Sequence, residues 1–204
     1  MRIKCVLFDA EGVIINSEVF STQYERKYGI QHGVMLPFLK NEFLDCLVGN
    51  SDLADAVKPW LSKWKWDGSV DEFLQFWFES GDNVDENVVS TIKKLQKSGV
   101  KCCLATNQEK HRAKYMRNNM QFDELFDDLF ISSEIGYRKP EEKFYDAVLS
   151  QLKEEYKILP HEVLFFDDSM KNVDAAQIAG INAHLYESYS EFMRILNSSI
   201  FAKQ

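Results

Sequence analysis

The chain has 204 residues, 45% of them hydrophobic and 27% charged, with a net charge of −8. That size suits one medium-sized α/β unit, or a core with a small insert. It would bury roughly 70% of its unfolded surface, which excludes a disulfide-dependent scaffold and bulk disorder. The acidic balance argues against nucleic-acid or anionic-membrane partners, so any phosphate site must be built locally.

Ile3 to Phe8 reads as a first buried strand. The chain before it, Met1 to Lys4, shows no cleavage site, and no apolar run approaches the ~20 residues of a membrane span. A cytoplasmic location is therefore expected, with Cys5, Cys46, Cys102 and Cys103 as reduced core thiols lacking any metal spacing. From Asn16 to Asn83 no convincing strand follows. Helices are expected from Ser17 (as a cap) to Gly29, then over Leu36 to Val48, Ser51 to Trp64 and Ser69 to Ser80. This interval holds twelve aromatics and all four tryptophans, and reads as a helical insert with its own small core.

Strand and helix then alternate. Helices are expected over Asp85 to Ser98, Glu109 to Asn119, Glu141 to Lys153 and Asn172 to Ala179. Strands are expected over Val100 to Ala105, Leu129 to Ser132, Val163 to Phe166 and Ala183 to Tyr186. Ser188 to Gln204 reads as a last helix with a frayed end. The apolar runs lack strict alternation, which suits a doubly wound parallel sheet covered on both faces. Such sheets carry their chemistry at the carboxyl ends of the strands.

The first strand ends in Asp9-Ala10-Glu11-Gly12, and the fourth in Asp167-Asp168-Ser169. Taken alone, the first could be a surface turn. Adjacent carboxylates resist joint ionisation, and a hard divalent cation would resolve the conflict. If strands one and four are neighbours, Asp9 and Asp168 could converge on one ion. The second strand ends in Thr106-Asn107, a hydroxyl and an amide suited to a phosphate oxygen; alternatively Thr106 caps the next helix. Lys139 precedes Pro140, which biases it towards an extended backbone from which it can point at a sheet-end site. A solvated lysine is the alternative. His32, His111, His161 and His184 match no ligand spacing.

In this order and spacing the four pieces resemble the haloacid dehalogenase superfamily, over the whole chain. Asp9 to Ile14 looks like its first motif, usually DxDG; Thr106 matches the second, Lys139 the third, and Asp167-Asp168 the fourth. The insert matches a helical cap placed after the first motif. Gly136 to Tyr145 and Phe165 to Ala176 look closest to the sugar-phosphate phosphatase and epoxide hydrolase N-terminal-domain branch. The resemblance implies a Rossmann-like core (residues 1–15 and 84–204) and a helical cap (16–83). It also implies a Mg²⁺-dependent phosphomonoesterase acting on a small phosphorylated metabolite, such as a sugar phosphate, as a monomer or weak homodimer.

In that scheme Asp9 is the nucleophile, Glu11 the acid/base, and Lys139 offsets carboxylate repulsion. Thr106, Asn107 and Lys139 hold phosphoryl oxygens. Mg²⁺ takes Asp9, the Glu11 carbonyl and Asp168, with Asp167 as a weaker ligand. Glu11 departs from the usual Asp, a reach longer by one methylene, and Asn172 stands where many relatives carry Asp. Glu11 keeps two alternatives open: a phosphomutase, or a binding protein on a weakened phosphatase scaffold. The dehalogenases themselves usually carry an aromatic at the Glu11 position and need no metal, so Glu11 and the acidic pair argue against that chemistry.

Overall fold

The structure is a computed structural model that describes residues 2–201. Its elements run β1 (Cys5–Phe8), α1 (Phe20–Tyr28), α2 (His32–Lys40), α3 (Glu42–Leu47), α4 (Leu53–Val57), α5 (Val70–Ser80), α6 (Glu86–Lys97) and β2 (Lys101–Thr106). There follow α7 (Lys110–Asn118), α8 (Phe122–Leu125), β3 (Asp128–Ile131), α9 (Ser132–Ile135), α10 (Glu142–Tyr156), β4 (Val163–Asp167), α11 (Met170–Ile178), β5 (Asn182–Leu185) and α12 (Tyr189–Leu196).

All five strands pair in parallel, in the order β3-β2-β1-β4-β5. β1 is therefore central, and β4 is its neighbour, with Phe8 opposite Phe166. Side chains alternate across the sheet. Val6 and Phe8 join Leu104, Phe166 and residues of α6, α7 and α12 on one face. Cys5 and Leu7 join Cys103, Phe165 and residues of α10 and α11 on the other. Two covered faces explain the near-continuous apolar runs of the strands. All four cysteines are buried and free.

The helices between β1 and α6 enclose a third, separate core of Tyr24, Phe38, Trp64, Phe73 and their neighbours. Ser69 starts α5 with a reciprocal capping box to Glu72. Three details differ from the expected pattern. Ser17 caps no helix: Val19 stands at the N-cap of α1, and the Ser17 hydroxyl accepts from the Asn83 N–H instead. Leu36 to Val48 is two helices, because the Asn41 side chain takes the Pro37 carbonyl at 2.6 Å, which a continuing helix would need. Ser51 to Trp64 is only α4, capped by Asp52, followed by a 3-10 turn at Lys58–Trp60 where Pro59 lacks an N–H. At the C-terminal end, α12 runs into a wider π-type turn over Asn197–Phe201, and the remainder of the expected tail lies outside the described residues. No helix among the described residues is long and apolar enough to cross a membrane.

The two chain crossings between the sheet and this helical insert lie side by side. Asn16 N–H donates to Asn83 O at 2.9 Å, and the Asn83 side chain returns to Asn16 O at 3.1 Å. The start of α7 forms a further seam. Lys110 reaches Gly49 O, and His111 hydrogen-bonds Asp52 at 2.9 Å.

Candidate active site

The carboxyl ends of β1, β2 and β4 meet beneath the helices that lie between β1 and α6. Asp9 follows β1, its N–H donating to Phe166 O at 2.9 Å, so the β1–β4 pairing itself places Asp9 beside Asp167. Asp9, Asp167 and Asp168 each turn one carboxylate oxygen into a cluster spanning no more than 4.8 Å. Lys139 is the counter-charge. Its ammonium lies 2.9 Å from Asp9 and 2.6 Å from Asp167, with 1% of the residue exposed.

How Lys139 arrives there is local chemistry. The Asn107 amide grips the Lys139 backbone at both ends, accepting from its N–H at 2.8 Å and donating to its carbonyl at 2.9 Å. Asn107, expected at the phosphoryl oxygens, thus has its side chain engaged in holding the turn that carries the lysine. Thr106 ends β2 fully buried, and its hydroxyl has no hydrogen-bond partner among the described residues. It remains available to an incoming oxygen.

The three aspartates are not equivalent. Asp167 is saturated: Lys139 bonds one oxygen, while Ser169 N–H and the Asn172 amide, both at 2.9 Å, bond the other. Asn172, the position where Asp was missing, therefore serves Asp167 directly. Asp168 is exposed and packs against the bare Cα of Gly12, where a Cβ would overlap its carboxylate. Gly12 also has φ +74°, a backbone region that favours glycine.

Burial pushes the Asp9 carboxyl up to about 7, against the pull of Lys139 and with a further push from Asp167. One lysine facing three carboxylates leaves a local negative charge, and hard-cation chemistry suits it. The residues fit a divalent metal, with Asp168 and the second oxygen of Asp9 as the free donors, since Lys139 and the Ala10 N–H take the first, and with Asp167 held back by its three hydrogen bonds.

Glu11 stands apart from this cluster. Its carboxylate is half-exposed and turns towards the Gln108 amide at 3.4 Å and the Arg112 guanidinium at 3.6 Å. It lies in a cleft that water still reaches. Protein atoms crowding that cleft raise its pKa, and Arg112 draws it down. Its side chain lies outside the carboxylate cluster.

Arg112 was not legible as a site residue. It is 5% exposed, donates to Phe78 O at 2.8 Å and also to Gly81 O, and so ties the end of α5 to the core beside Glu11. Glu109 caps α7 through the Arg112 and His111 N–H groups. The only sequence signal was an Arg in the first turn of the helix after Thr106. Between cap and core lies a cavity of about 390 Å³, with Glu11, Gly12, Asn107, Gln108 and Asp168 on its floor.

This arrangement belongs to a known family. The haloacid dehalogenase-like hydrolase family matches residues 3–180, and the chain is a member of it. Over 188 residues, 88% of this chain and 82% of the relative, it is 23% identical to a phosphorylated carbohydrates phosphatase of Thermotoga maritima. Over 112 residues it is 32% identical to the sesquiterpene phosphatase astK of Aspergillus oryzae. That match covers 54% of this chain and spans only 55% of the relative's length. A HAD family enzyme from Bacteroides thetaiotaomicron shares the fold with a TM-score of 0.78 at 22% identity, covering 95% of this chain and 100% of that one. A further structure of that enzyme is a complex with magnesium and inorganic phosphate (TM-score 0.73, 22% identity, 94% of this chain and 100% of that one).

Proposed function

We propose that the protein is a Mg²⁺-dependent phosphomonoesterase acting on a small phosphorylated metabolite through an aspartyl-phosphate on Asp9. Residues 16–83 are its cap, opening and closing over a core of residues 1–15 and 84–204. The observation that carries the reading is the cluster of Asp9, Asp167 and Asp168 around Lys139, beside an unpartnered Thr106 hydroxyl. Both curated relatives named above are phosphatases. Four free, buried thiols suit a reducing, cytoplasmic setting.

The steps follow from the residues present. Thr106 and Lys139 hold two oxygens of the phosphoryl group. An Asp9 oxygen attacks phosphorus, and the ester P–O bond breaks. Glu11, whose pKa the protein atoms crowding its cleft push upwards, gives a proton to the leaving oxygen. Glu11 then accepts a proton from a water, whose oxygen attacks phosphorus and releases Asp9. A bound Mg²⁺, held by Asp9, Asp168 and the Glu11 carbonyl, would supply charge neutralisation of the phosphate and of the crowded carboxylates.

The experiment is phosphate release from p-nitrophenyl phosphate with and without Mg²⁺, for wild type, Asp9→Asn and Glu11→Gln. Mg²⁺-dependent turnover is expected, abolished by Asp9→Asn and lowered 10²–10⁴-fold by Glu11→Gln. Turnover that survives Asp9→Asn would refute the nucleophile.

A further inference from the structure

The cavity above the carboxylates has two unlike halves. Its floor is polar. Its roof is built by Val19, Phe20, Leu39, Phe43, Leu53 and Trp77 from the cap. Its aromatic side chains pack on one another: Phe20 stacks on Trp77 at 4.7 Å, and Phe43 lies 5.4 Å from Trp77.

The polar side chains that the cap does bring to this cavity each make a hydrogen bond or ion pair within the protein, and the Ser17 hydroxyl keeps a proton to donate. Ser17 accepts from Asn83 N–H. Ser21 shares a 2.6 Å hydrogen bond with His32. Ser80 donates to Trp77 O at 2.6 Å. Glu18 binds the Arg26 guanidinium through both oxygens, at 2.5 and 2.6 Å. Among the lining residues the cap supplies no lysine or arginine, and the core's Arg112 is engaged by Phe78 O, Gly81 O and Glu11.

A sugar phosphate entering here would bury hydroxyls against hydrocarbon, at a cost of about 1–3 kcal/mol for each group left without a partner. A second phosphate would find no free cation. An apolar leaving group meets neither penalty and gains from every methylene covered. The volume of about 390 Å³ lies within the usual range of small-ligand sites.

We infer that the substrate is the monophosphate of a hydrophobic alcohol, its phosphate on the polar floor and its hydrocarbon portion under the cap roof. This rests on the phosphomonoesterase reading and deepens it. The products are the free apolar alcohol, protonated by Glu11, and inorganic phosphate. The reaction class that supplies such a substrate is monophosphorylation of a hydrophobic alcohol, or trimming of its diphosphate.

The test uses the full chain with Mg²⁺ and compares kcat/KM for n-butyl, n-hexyl, n-octyl and farnesyl phosphate, below their critical micelle concentrations. Glucose 6-phosphate is the polar comparison. Acetyl phosphate, too small to reach the roof, reports the phosphoryl chemistry alone. The expected result is a rise of about fourfold per methylene until the cavity is filled, with glucose 6-phosphate at least 100-fold below octyl phosphate. Val19→Asn, at an exposed position of the roof that does not threaten folding (64% exposed), should lower the octyl-to-acetyl ratio about tenfold. A flat alkyl series, or glucose 6-phosphate matching octyl phosphate, with acetyl phosphate still turned over, overturns the inference and leaves the phosphatase reading standing. Silence towards every compound, acetyl phosphate included, overturns that reading and the inference with it.

Discussion

Arg112 stands 3.6 Å from Glu11 while the same guanidinium donates to Phe78 O and Gly81 O at the end of α5. One buried side chain thus ties the end of α5 to the Glu11 carboxylate, the acid/base of the proposed mechanism. Arg112→Met should lower kcat by about 100-fold, the scale of a 1 Å misplacement at a reacting centre. It also removes the cation that draws the Glu11 pKa down, while burial continues to raise it. The alkaline limb of the pH–rate profile, set by the protonated Glu11, should therefore move to higher pH. Arg112→Lys should bring the limb back. A purely structural role would leave the limb where it is.

Lys139 is almost fully buried between Asp9 and Asp167, so its charge is needed by two buried carboxylates at once. Removing one partner of such a buried ionic group typically costs about 3–5 kcal/mol. Lys139→Met should lose stability on that scale in urea denaturation without metal. Adding Asp167→Asn should recover part of the loss, because one orphaned charge disappears.

Gly12 makes room for Asp168. Gly12→Ala meets both a left-handed backbone and an overlap with the Asp168 carboxylate. Titration calorimetry should show Mg²⁺ affinity falling by about 10- to 100-fold, the range typical of displaced metal-ligand support. Affinity close to wild type would show that Asp168 is not a ligand.

Asp9 carries a pKa raised to about 7 by burial. A group raised on folding stabilises fully below its unfolded pKa, and that contribution is lost as pH rises through the folded value. In EDTA the Tm should therefore fall between pH 4 and pH 7, more steeply for wild type than for Asp9→Asn. Mg²⁺ favours the ionised carboxylate, so it should raise the Tm more at pH 8 than at pH 5.5. Thermal melts at four pH values, with and without the metal, decide this.

Much of the core was legible because its signals are local. Each parallel strand is buried on both faces, so its apolar run shows directly in the sequence, and the five observed strands fall within two residues of those read from it. Asp85, Glu109 and Ser69 mark helix starts because a cap is made within three residues. The convergence of Asp9, Lys139 and Asp168 on one end of the sheet was legible for the same reason, each following or facing a strand end.

The cap was harder, since its helices break where side chains compete with the backbone. Asn41 taking the Pro37 carbonyl is invisible to apolar periodicity. What the chain by itself determined was the alternation of strands and helices, the residue types at each strand end, and a separate aromatic-rich insert. Tertiary structure alone decided that the carboxylates of Asp9, Asp167 and Asp168 gather around Lys139, that Asn107 grips the Lys139 backbone, that Arg112 links the end of α5 to Glu11, and that the helical insert presents hydrocarbon to the cleft. These depend on contacts between segments 28 to 158 residues apart, such as Lys139 with Asp167 and Asp9 with Asp167, and no local preference encodes a distance across a fold.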